Sequence, residues 1–302
     1  MEQALNWSRR ELWMRKLVYP GHTLPTAAAP ALVAAGLALH DRVFHALPFA
    51  AALFAGWLIQ LGGVLVDNYV NLVESPEDRE HPELVWGLKN GLLTLRSLGG
   101  AIGACFALAL LAGLYLLEVA GPGVVLIGGL SVAAAVAYSA GPFPIGRRGF
   151  ADPLFFVFFG VVSVAGTYYV QAQALPLAAF ALGVPVGALT TNILIIDDIR
   201  DREFDAVKGK HTVAVRFGMQ WSRREFLGLL ALAFLSPLGL WLGLGFGAWI
   251  LLPLASLPLA ARAARKVLTL ERHADLVPVT PEAGRLLLVY STLLALGVAL
   301  PG

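Results

Sequence analysis

The chain has 302 residues, of which 58% are hydrophobic and only 14% carry a charge, and its mean hydropathy is +0.72. Soluble domains carry about 25% charged residues, so this composition excludes an ordinary soluble domain and predicts an integral membrane protein. The net charge is +2, and the basic residues form no nucleic-acid footprint; the single cysteine, Cys105, excludes an internal disulfide bond.

The N-terminal residues 5–18 have the pattern of an amphipathic helix, with apolar side chains on one face and arginine and lysine elsewhere. Such a segment commonly lies in the membrane interface. We therefore expect residues 1–21 to be an interfacial extension of a single membrane domain that covers residues 1–302.

Apolar runs long enough, or nearly so, to cross a hydrocarbon core of about 30 Å occupy most of the remaining chain. Nine of them lie near residues 22–40, 47–73, 92–117, 122–140, 152–172, 175–197, 226–243, 245–268 and 284–301. The predicted fold class is all-α: a polytopic membrane protein with about nine transmembrane helices in a bundle.

The basic residues predict the orientation of this bundle. Of the 22 lysines and arginines, all but Arg42 fall before the first run, in alternate loops or at the adjoining ends of the runs. By the positive-inside rule, the N-terminus and these loops are cytoplasmic and the C-terminus lies outside. We expect a multi-pass protein of the cell inner (cytoplasmic) membrane.

The second apolar run ends in a first acidic stretch. Asp67 and Asn71 are four residues apart, as two groups on one helix face would be. Ionisable residues near the end of a transmembrane helix are costly and indicate function by default. Further polar residues follow in the loop: Asn68, Glu74, Glu77 and Asp78. The alternative is a helix end that reaches the lipid headgroups, followed by a plain surface loop.

A second and denser acidic stretch follows the sixth run. Asp197, Asp201 and Asp205 have i, i+4, i+8 spacing, which places them on one face of a helix, with Asp198 beside them. Like charges at this spacing repel each other, and a divalent cation would offset the repulsion. Mg²⁺ is usually held by one or two carboxylates together with substrate phosphates. Basic residues close by could bind phosphate oxygens: Arg200, Arg202, Lys208 and Lys210. The alternative is a solvated polar end of a membrane helix.

The segment Tyr138–Pro153 (YSAGPFPIGRRGFADP) predicts a turn, because Pro142, Pro144 and the glycines prevent a continuous helix. Arg147 and Arg148 in this turn could bind phosphate or anionic lipid. The aromatic cluster FFVFFG that follows is typical of packing, and beside a diphosphate it could also stabilise a carbocation.

The chain resembles the UbiA superfamily of intramembrane prenyltransferases, and within it the 1,4-dihydroxy-2-naphthoate polyprenyltransferases. The resemblance covers most of the chain and rests on LPTAAAPALVAAGLAL, YSAGPFP, FFGVVSVAGTYYVQ and, above all, DDIRDREFDAVKGKHTVAVRFG. In the last motif, Asp201, Asp205, Arg200 and Lys210 match the metal-binding and basic positions of the family.

The first motif departs from the family pattern NDYxD, because this chain has Asp67, Asn68, Tyr69, Val70 and Asn71 at the five positions. Trp86 stands where the family has arginine. An asparagine side chain still offers an oxygen to Mg²⁺, although without charge.

The resemblance implies a helix bundle around a central cavity, capped by cytoplasmic loops, and an enzyme that depends on Mg²⁺ as its cofactor. The implied catalytic residues are Asp67, Asn68, Asn71, Asp198, Asp201 and Asp205. The implied metal ligands are Asp67, Asn71, Asp197, Asp201 and Asp205. The implied substrate-binding residues are Arg200, Lys210, Lys89, Arg147 and Tyr138.

The activity that the resemblance implies is transfer of a polyprenyl group from its diphosphate to an aromatic acceptor such as dihydroxynaphthoate, in menaquinone biosynthesis and within the lipid bilayer. Three alternatives remain open at this point. They are a related enzyme with another aromatic acceptor, a catalytically silent relative, and a transporter with acidic cation sites.

Overall fold

A computed structural model describes residues 8–18, 23–74 and 82–301, and within these ranges every regular element is a helix. The first, α1 (Arg9–Leu12), begins at a capping box formed by Ser8 and Glu11 and continues as a π-helix, Trp13–Val18. The all-α fold class is therefore confirmed.

Thirteen further α-helices follow α1 within the described ranges. They are α2 (Thr23–His40), α3 (Ala46–Glu74), α4 (Pro82–Lys89), α5 (Leu95–Ala120), α6 (Gly123–Ser139), α7 (Ala151–Phe155), α8 (Ser163–Ala172), α9 (Leu177–Val207), α10 (Val213–Phe217), α11 (Met219–Leu244), α12 (Leu257–Thr269), α13 (His273–Leu276) and α14 (Val279–Ala299). A π-helix, Phe156–Val162, joins α7 to α8, and 3₁₀ segments cover Ile145–Arg148 and Ala248–Ser256.

Six helical segments in the described part of the chain are long and apolar enough to cross a membrane. They are Ala46–Glu74, Leu95–Ala120, Ala151–Ala172, Leu177–Val207, Met219–Leu244 and His273–Ala299. Two shorter apolar helices, Leu24–His40 and Gly123–Ser139, correspond to the first and fourth predicted runs. Several membrane-spanning helices are thus present, although the predicted count of nine is not confirmed.

The predicted run 245–268 differs most from the structure. It divides into the 3₁₀ segment Ala248–Ser256, which contains Pro253, and the amphipathic helix α12. Proline removes a backbone donor and clashes with the preceding turn, so an unbroken α-helix is unfavourable here.

Glycines allow α9 to pack closely against the π-helix Phe156–Val162. A Cβ atom added at Gly160 would lie 2.3 Å from the Cα atom of Gly187, and one added at Gly183 would lie 2.6 Å from the Cα atom of Val161. Glycine therefore lets the two backbones touch along the first half of α9.

The largest apolar core lies between α2, α8, α9, α11 and α14, and a second core lies between α1, α3, α4 and α5. Leu12 and Leu17 of the N-terminal helical segment are fully buried in the second core. The apolar face of the predicted amphipathic segment thus packs on the protein itself in the part that is described.

Candidate active site

A large cavity lies between the helices and is lined by residues of both acidic stretches. Its volume is about 1280 Å³, above the usual range of about 300–1,000 Å³ for small-molecule pockets. The walls come from α2, α3, α5, α6, the α7–α8 segment and α9. One end is charged and most of the remainder is apolar, so the cavity suits a ligand with a polar head and a long apolar tail.

The charged end lies where α3 and α9 approach their C-termini. Acids, amides and bases that line it are Asp67, Asn68, Asn71, Asp197, Asp198, Arg200, Asp201, Asp205 and Lys210. The C-terminus of a helix carries partial negative charge, so carboxylates there are unfavourable unless cations compensate them. The structure therefore brings the two predicted acidic stretches together in a place that favours cations.

Basic residues on α9 and shortly after it supply part of the positive charge that compensates the carboxylates. Arg200 forms ion pairs with both Asp197 and Asp201. Lys210 Nζ lies 2.7 Å from Asp205 Oδ1. Asp201 and Asp205 are 4% and 2% exposed, respectively, and these pairs are therefore shielded from solvent.

Two residues from the far end of the chain complete the α9 cluster. The Thr280 hydroxyl donates to Asp197 Oδ1 at 2.6 Å and accepts from Arg200 at 3.2 Å. His273 Nδ1 lies 3.1 Å from Asp201 Oδ1 and 3.2 Å from the Arg200 carbonyl oxygen. Both side chains line the cavity. The sequence analysis missed them, because they reach α9 only through the packing of α13 and α14.

The α3 side is held by neutral groups instead. Asp67 Oδ1 accepts a hydrogen bond from the Ser139 hydroxyl at 2.5 Å, and Asp67 Oδ2 accepts one from Asn71 Nδ2 at 3.1 Å. The bond to Asn71 uses its amide nitrogen and not its carbonyl oxygen. Asn68 and Asn71 are both buried.

Arg147 and Tyr138 join the predicted acids at the cavity. Arg147 forms an ion pair with Glu74 at the end of α3, and its carbonyl oxygen accepts from the backbone N–H of His211 at 2.8 Å. The Tyr138 ring centroid lies 5.5 Å from that of Phe155. These contacts tie the turn after α6 to both acidic stretches.

Four basic residues that the sequence offered for phosphate binding do not line the cavity: Lys89, Arg148, Arg202 and Lys208. Lys89 is the one of these that the family resemblance implied. It is exposed at the end of α4. A terminal lysine on a short surface helix is more stable in solvent than in a buried cluster. Glu77 and Asp78 lie outside the described residues.

Aromatic and small residues line the apolar part of the cavity. The rings of Phe155 and Phe159 lie with their centroids 4.7 Å apart and their planes tilted by 32°, and Phe158 also lines the cavity. A Cβ atom added at Gly56 or Gly113 would meet no atom within 4 Å, so these glycines face open space. This region can hold an apolar chain against a π-rich wall.

Within the described ranges, no group of three or more His, Cys, Asp and Glu side chains is arranged to hold a metal ion by itself. Carboxylate and amide oxygens nevertheless converge on the cavity from α3 and α9. Mg²⁺ prefers oxygen donors and usually takes only one or two carboxylates, completing its shell with substrate phosphates and water. The donors present therefore fit an Mg²⁺ ion that binds together with a phosphate-bearing ligand.

Comparison with known proteins places this site in context. Residues 27–277 match the model of the UbiA prenyltransferase family. The chain is 35% identical over 280 residues to the 1,4-dihydroxy-2-naphthoate octaprenyltransferase of Mycobacterium tuberculosis, covering 90% of this chain and 92% of the relative. It is 32% identical over 304 residues to the enzyme of the same name from Escherichia coli, covering 97% and 96%, respectively.

Solved structures agree with the fold. A UbiA homologue from Aeropyrum pernix without ligand has a TM-score of 0.69 at 16% identity, covering 91% of this chain and 97% of that protein. A UbiA homologue from Archaeoglobus fulgidus, bound to GPP and Mg²⁺, has a TM-score of 0.65 at 14% identity, covering 95% and 99%. At these identities, the likeness concerns the helical fold.

Proposed function

Because the chain belongs to the UbiA prenyltransferase family, we propose that it transfers a polyprenyl group from its diphosphate to 1,4-dihydroxy-2-naphthoate, in menaquinone biosynthesis. The strongest structural support is the cavity itself, which joins a buried acid–base cluster to a long apolar chamber with an aromatic wall. A polyprenyl diphosphate has this same division into a charged head and an apolar tail.

The diphosphate would lie at the charged end, against the basic residues. Arg200 and Lys210 already sit within the acidic cluster, and Arg147 lies at the cavity margin. Charge-assisted hydrogen bonds from such groups to phosphate oxygens are stronger than neutral ones. These residues would stabilise the negative charge that develops on the leaving diphosphate.

Asp201, Asp205 and Asp67, with the Asn71 carbonyl oxygen, are the groups that would hold Mg²⁺. When bound, Mg²⁺ supplies positive charge that neutralises diphosphate oxygens. Asp197 and Asp201 both pair with Arg200, and Asp197 alone of the two also accepts a hydrogen bond from Thr280 in the described ranges. We assign Asp197 to positioning Arg200. Asp198 is buried beside these acids and lines the same end of the cavity.

The reaction breaks the bond between the first prenyl carbon and the diphosphate oxygen, and the electron pair leaves with diphosphate. The prenyl carbon then bonds to the ring carbon that bears the carboxylate, and that carboxylate leaves as CO₂. The walls around Phe155 and Phe159 exclude water, which would otherwise quench the allylic cation. Their ring faces also favour positive charge nearby.

Prenyl transfer by the purified protein in detergent tests the proposal directly. Wild-type protein would be mixed with Mg²⁺, 1,4-dihydroxy-2-naphthoate and a set of prenyl diphosphates of different length, and the products would be read by mass. We expect a decarboxylated prenyl-naphthol product and one diphosphate released for each product formed.

Each other outcome overturns a different part of the proposal. Diphosphate release without a prenyl-naphthol product would transfer the assignment to another aromatic acceptor. The absence of diphosphate release with every donor would favour a catalytically silent relative. Uptake of cations into vesicles without any prenyl transfer would favour a transporter.

A further inference from the structure

A polar pair interrupts the apolar part of the cavity. Gln60 on α3 donates a hydrogen bond from its amide nitrogen to the Thr26 hydroxyl on α2. The two side chains are 9% and 3% exposed, respectively, and both line the cavity. The cavity-lining neighbours of Gln60 on α3 are apolar, including Ile59 and Val64. A primary amide is therefore held in a place that otherwise suits hydrocarbon.

The amide of Gln60 is only half satisfied. Its Oε1 atom is buried and has no hydrogen-bond partner in the ranges 8–18, 23–74 and 82–301. Thr26 has one hydroxyl, so it can serve only one end of the amide, whichever end faces it. Burying a polar group without a partner is costly, and such a group in a native protein calls for an explanation.

Other polar side chains of the cavity wall behave differently. The hydroxyls of Ser131, Ser163 and Thr190 each donate to a carbonyl oxygen of their own helical segment. These groups need no ligand. The unpaired oxygen of Gln60, in contrast, calls for a hydrogen-bond donor, and a prenyl chain has no polar atom to donate.

The position of Gln60 suits the aromatic acceptor. Gln60 precedes Asp67 by seven residues on the same helix face, which is about 10 Å along the helix axis. Because Gln60 and the acids line the same cavity, a ring bound between them would lie beside both the prenyl carbon next to the diphosphate and Gln60. Its hydroxyl groups are donors, which is what an unpaired carbonyl oxygen requires.

We infer that the Gln60–Thr26 pair binds the aromatic acceptor, with Gln60 Oε1 accepting a hydrogen bond from the acceptor hydroxyl that is not adjacent to the carboxylate. This inference rests on the proposed function and extends it to acceptor selectivity. Thr26 holds the amide nitrogen, so Oε1 is the end of the amide that is left to bind the ring.

The test compares two ligands that differ by this hydroxyl. The Michaelis constant (KM) for 1,4-dihydroxy-2-naphthoate and the inhibition constant of 1-hydroxy-2-naphthoate would be measured for the wild-type protein and for Gln60→Met, which preserves length and removes the amide. We expect the KM for the dihydroxy acceptor to rise about tenfold, the size of one lost hydrogen bond. The inhibition constant of the monohydroxy compound and the KM for the prenyl diphosphate should stay within about twofold of wild type.

Thr26→Val should shift the same acceptor constant in the same direction by a smaller factor. Ile59→Val, at a neighbouring apolar position of the cavity, is the matched control and should affect both ligands equally. If Gln60→Met does not fold, Gln60→Asn keeps the amide but withdraws it by one methylene, and the same selective rise is expected.

Equal weakening of both ligands by Gln60→Met, or an unchanged KM for the dihydroxy acceptor, would overturn the inference while leaving prenyl transfer intact. Failure of the wild-type protein to form the prenyl-naphthol product would instead overturn the proposed function. The two failures are therefore distinguishable.

Discussion

The two acidic helix ends that meet at the cavity are built differently. On α9, the carboxylates of Asp201 and Asp205 are paired with Arg200 and Lys210. On α3, the carboxylate of Asp67 is held by a hydroxyl and an amide, which carry no charge. One half of the site is thus stabilised by ion pairs and the other by neutral hydrogen bonds.

The two helix ends thus avoid the cost of buried negative charge in two different ways. Ion pairs on α9 stabilise the charged form of the buried carboxylates Asp201 and Asp205 before any ligand binds, since each of these charges has a basic partner. A single carboxylate with amide neighbours on α3 avoids like-charge repulsion across the cavity. The asparagines at positions 68 and 71 therefore keep the negative charge of the α3 half of the site low, and we expect α9 to contribute most of the metal and diphosphate affinity.

The largest effect should follow from removing an α9 carboxylate. Asp201→Ala and Asp205→Ala should each lower diphosphate release by about 10²- to 10³-fold, because a preorganised charge at the reacting head is lost. The measurement is diphosphate release and prenyl-naphthol product at saturating Mg²⁺. Glu203→Ala is the control, since Glu203 lies on the exposed face of the same helix. Wild-type turnover in both aspartate variants would reverse the assignment of the α9 acids.

A smaller loss is expected on α3. Asp67→Asn keeps the shape and an acceptor for Ser139 but removes the charge, so kcat/KM should fall about 10- to 100-fold with the fold preserved. Ser139→Ala removes only the hydrogen bond to Asp67 and should cost about threefold. If Asp67→Asn were more damaging than Asp201→Ala, the ranking of the two helix ends would be reversed.

The sequence predicted the α9 end of the site better than the α3 end. The i, i+4, i+8 spacing placed Asp197, Asp201 and Asp205 on one helix face, and α9 does continue as a helix to Val207. The apolar run alone ended near residue 197, so the charge pattern and not hydropathy indicated the remaining turns.

The parts of the site that the sequence did not predict depend on contacts between segments that are distant along the chain. His273 and Thr280 reach the α9 acids from more than 70 residues away, and no local pattern marks them. Ser139 likewise reaches Asp67 from α6. Gln60 is a single polar residue in an apolar run, and only its half-satisfied amide inside the cavity distinguishes it. Spacing within a helix is readable from sequence, whereas partners across helices depend on packing.

An added acid on α3 would test this difference between the two helix ends. Asn71→Asp exchanges the hydrogen-bond donor to Asp67 for a second carboxylate one turn away. Without Mg²⁺, the variant should lose about 2 kcal/mol of folding free energy, because a hydrogen bond to a charged group is lost and repulsion is added. Addition of Mg²⁺ should raise its melting temperature more than that of the wild-type protein, as a cation binds the new carboxylate.

Thermal unfolding in detergent, with and without MgCl₂, measures both effects without relying on turnover. Asn90→Asp, at an exposed position outside the cavity, is the control and should respond to Mg²⁺ as the wild-type protein does. An Asn71→Asp protein that is as stable as wild type without Mg²⁺ would mean that the amide of Asn71 does not relieve charge repulsion on α3.

A small effect is also expected from the hydroxyl that joins Asp197 to Arg200. Thr280→Val keeps the side-chain shape and removes both hydrogen bonds, so Arg200 loses part of its orientation. We expect kcat/KM for the prenyl diphosphate to fall about three- to tenfold, because Arg200 both binds the diphosphate and stabilises the charge that develops on it. Thr292→Val on the same helix is the matched control, because the Thr292 hydroxyl bonds to the carbonyl oxygen of Leu288 and, among the described residues, to no group of the cavity. An unchanged kcat/KM would show that Thr280 does not orient Arg200 for the reaction, and the α9 cluster would then act without a contribution from α14.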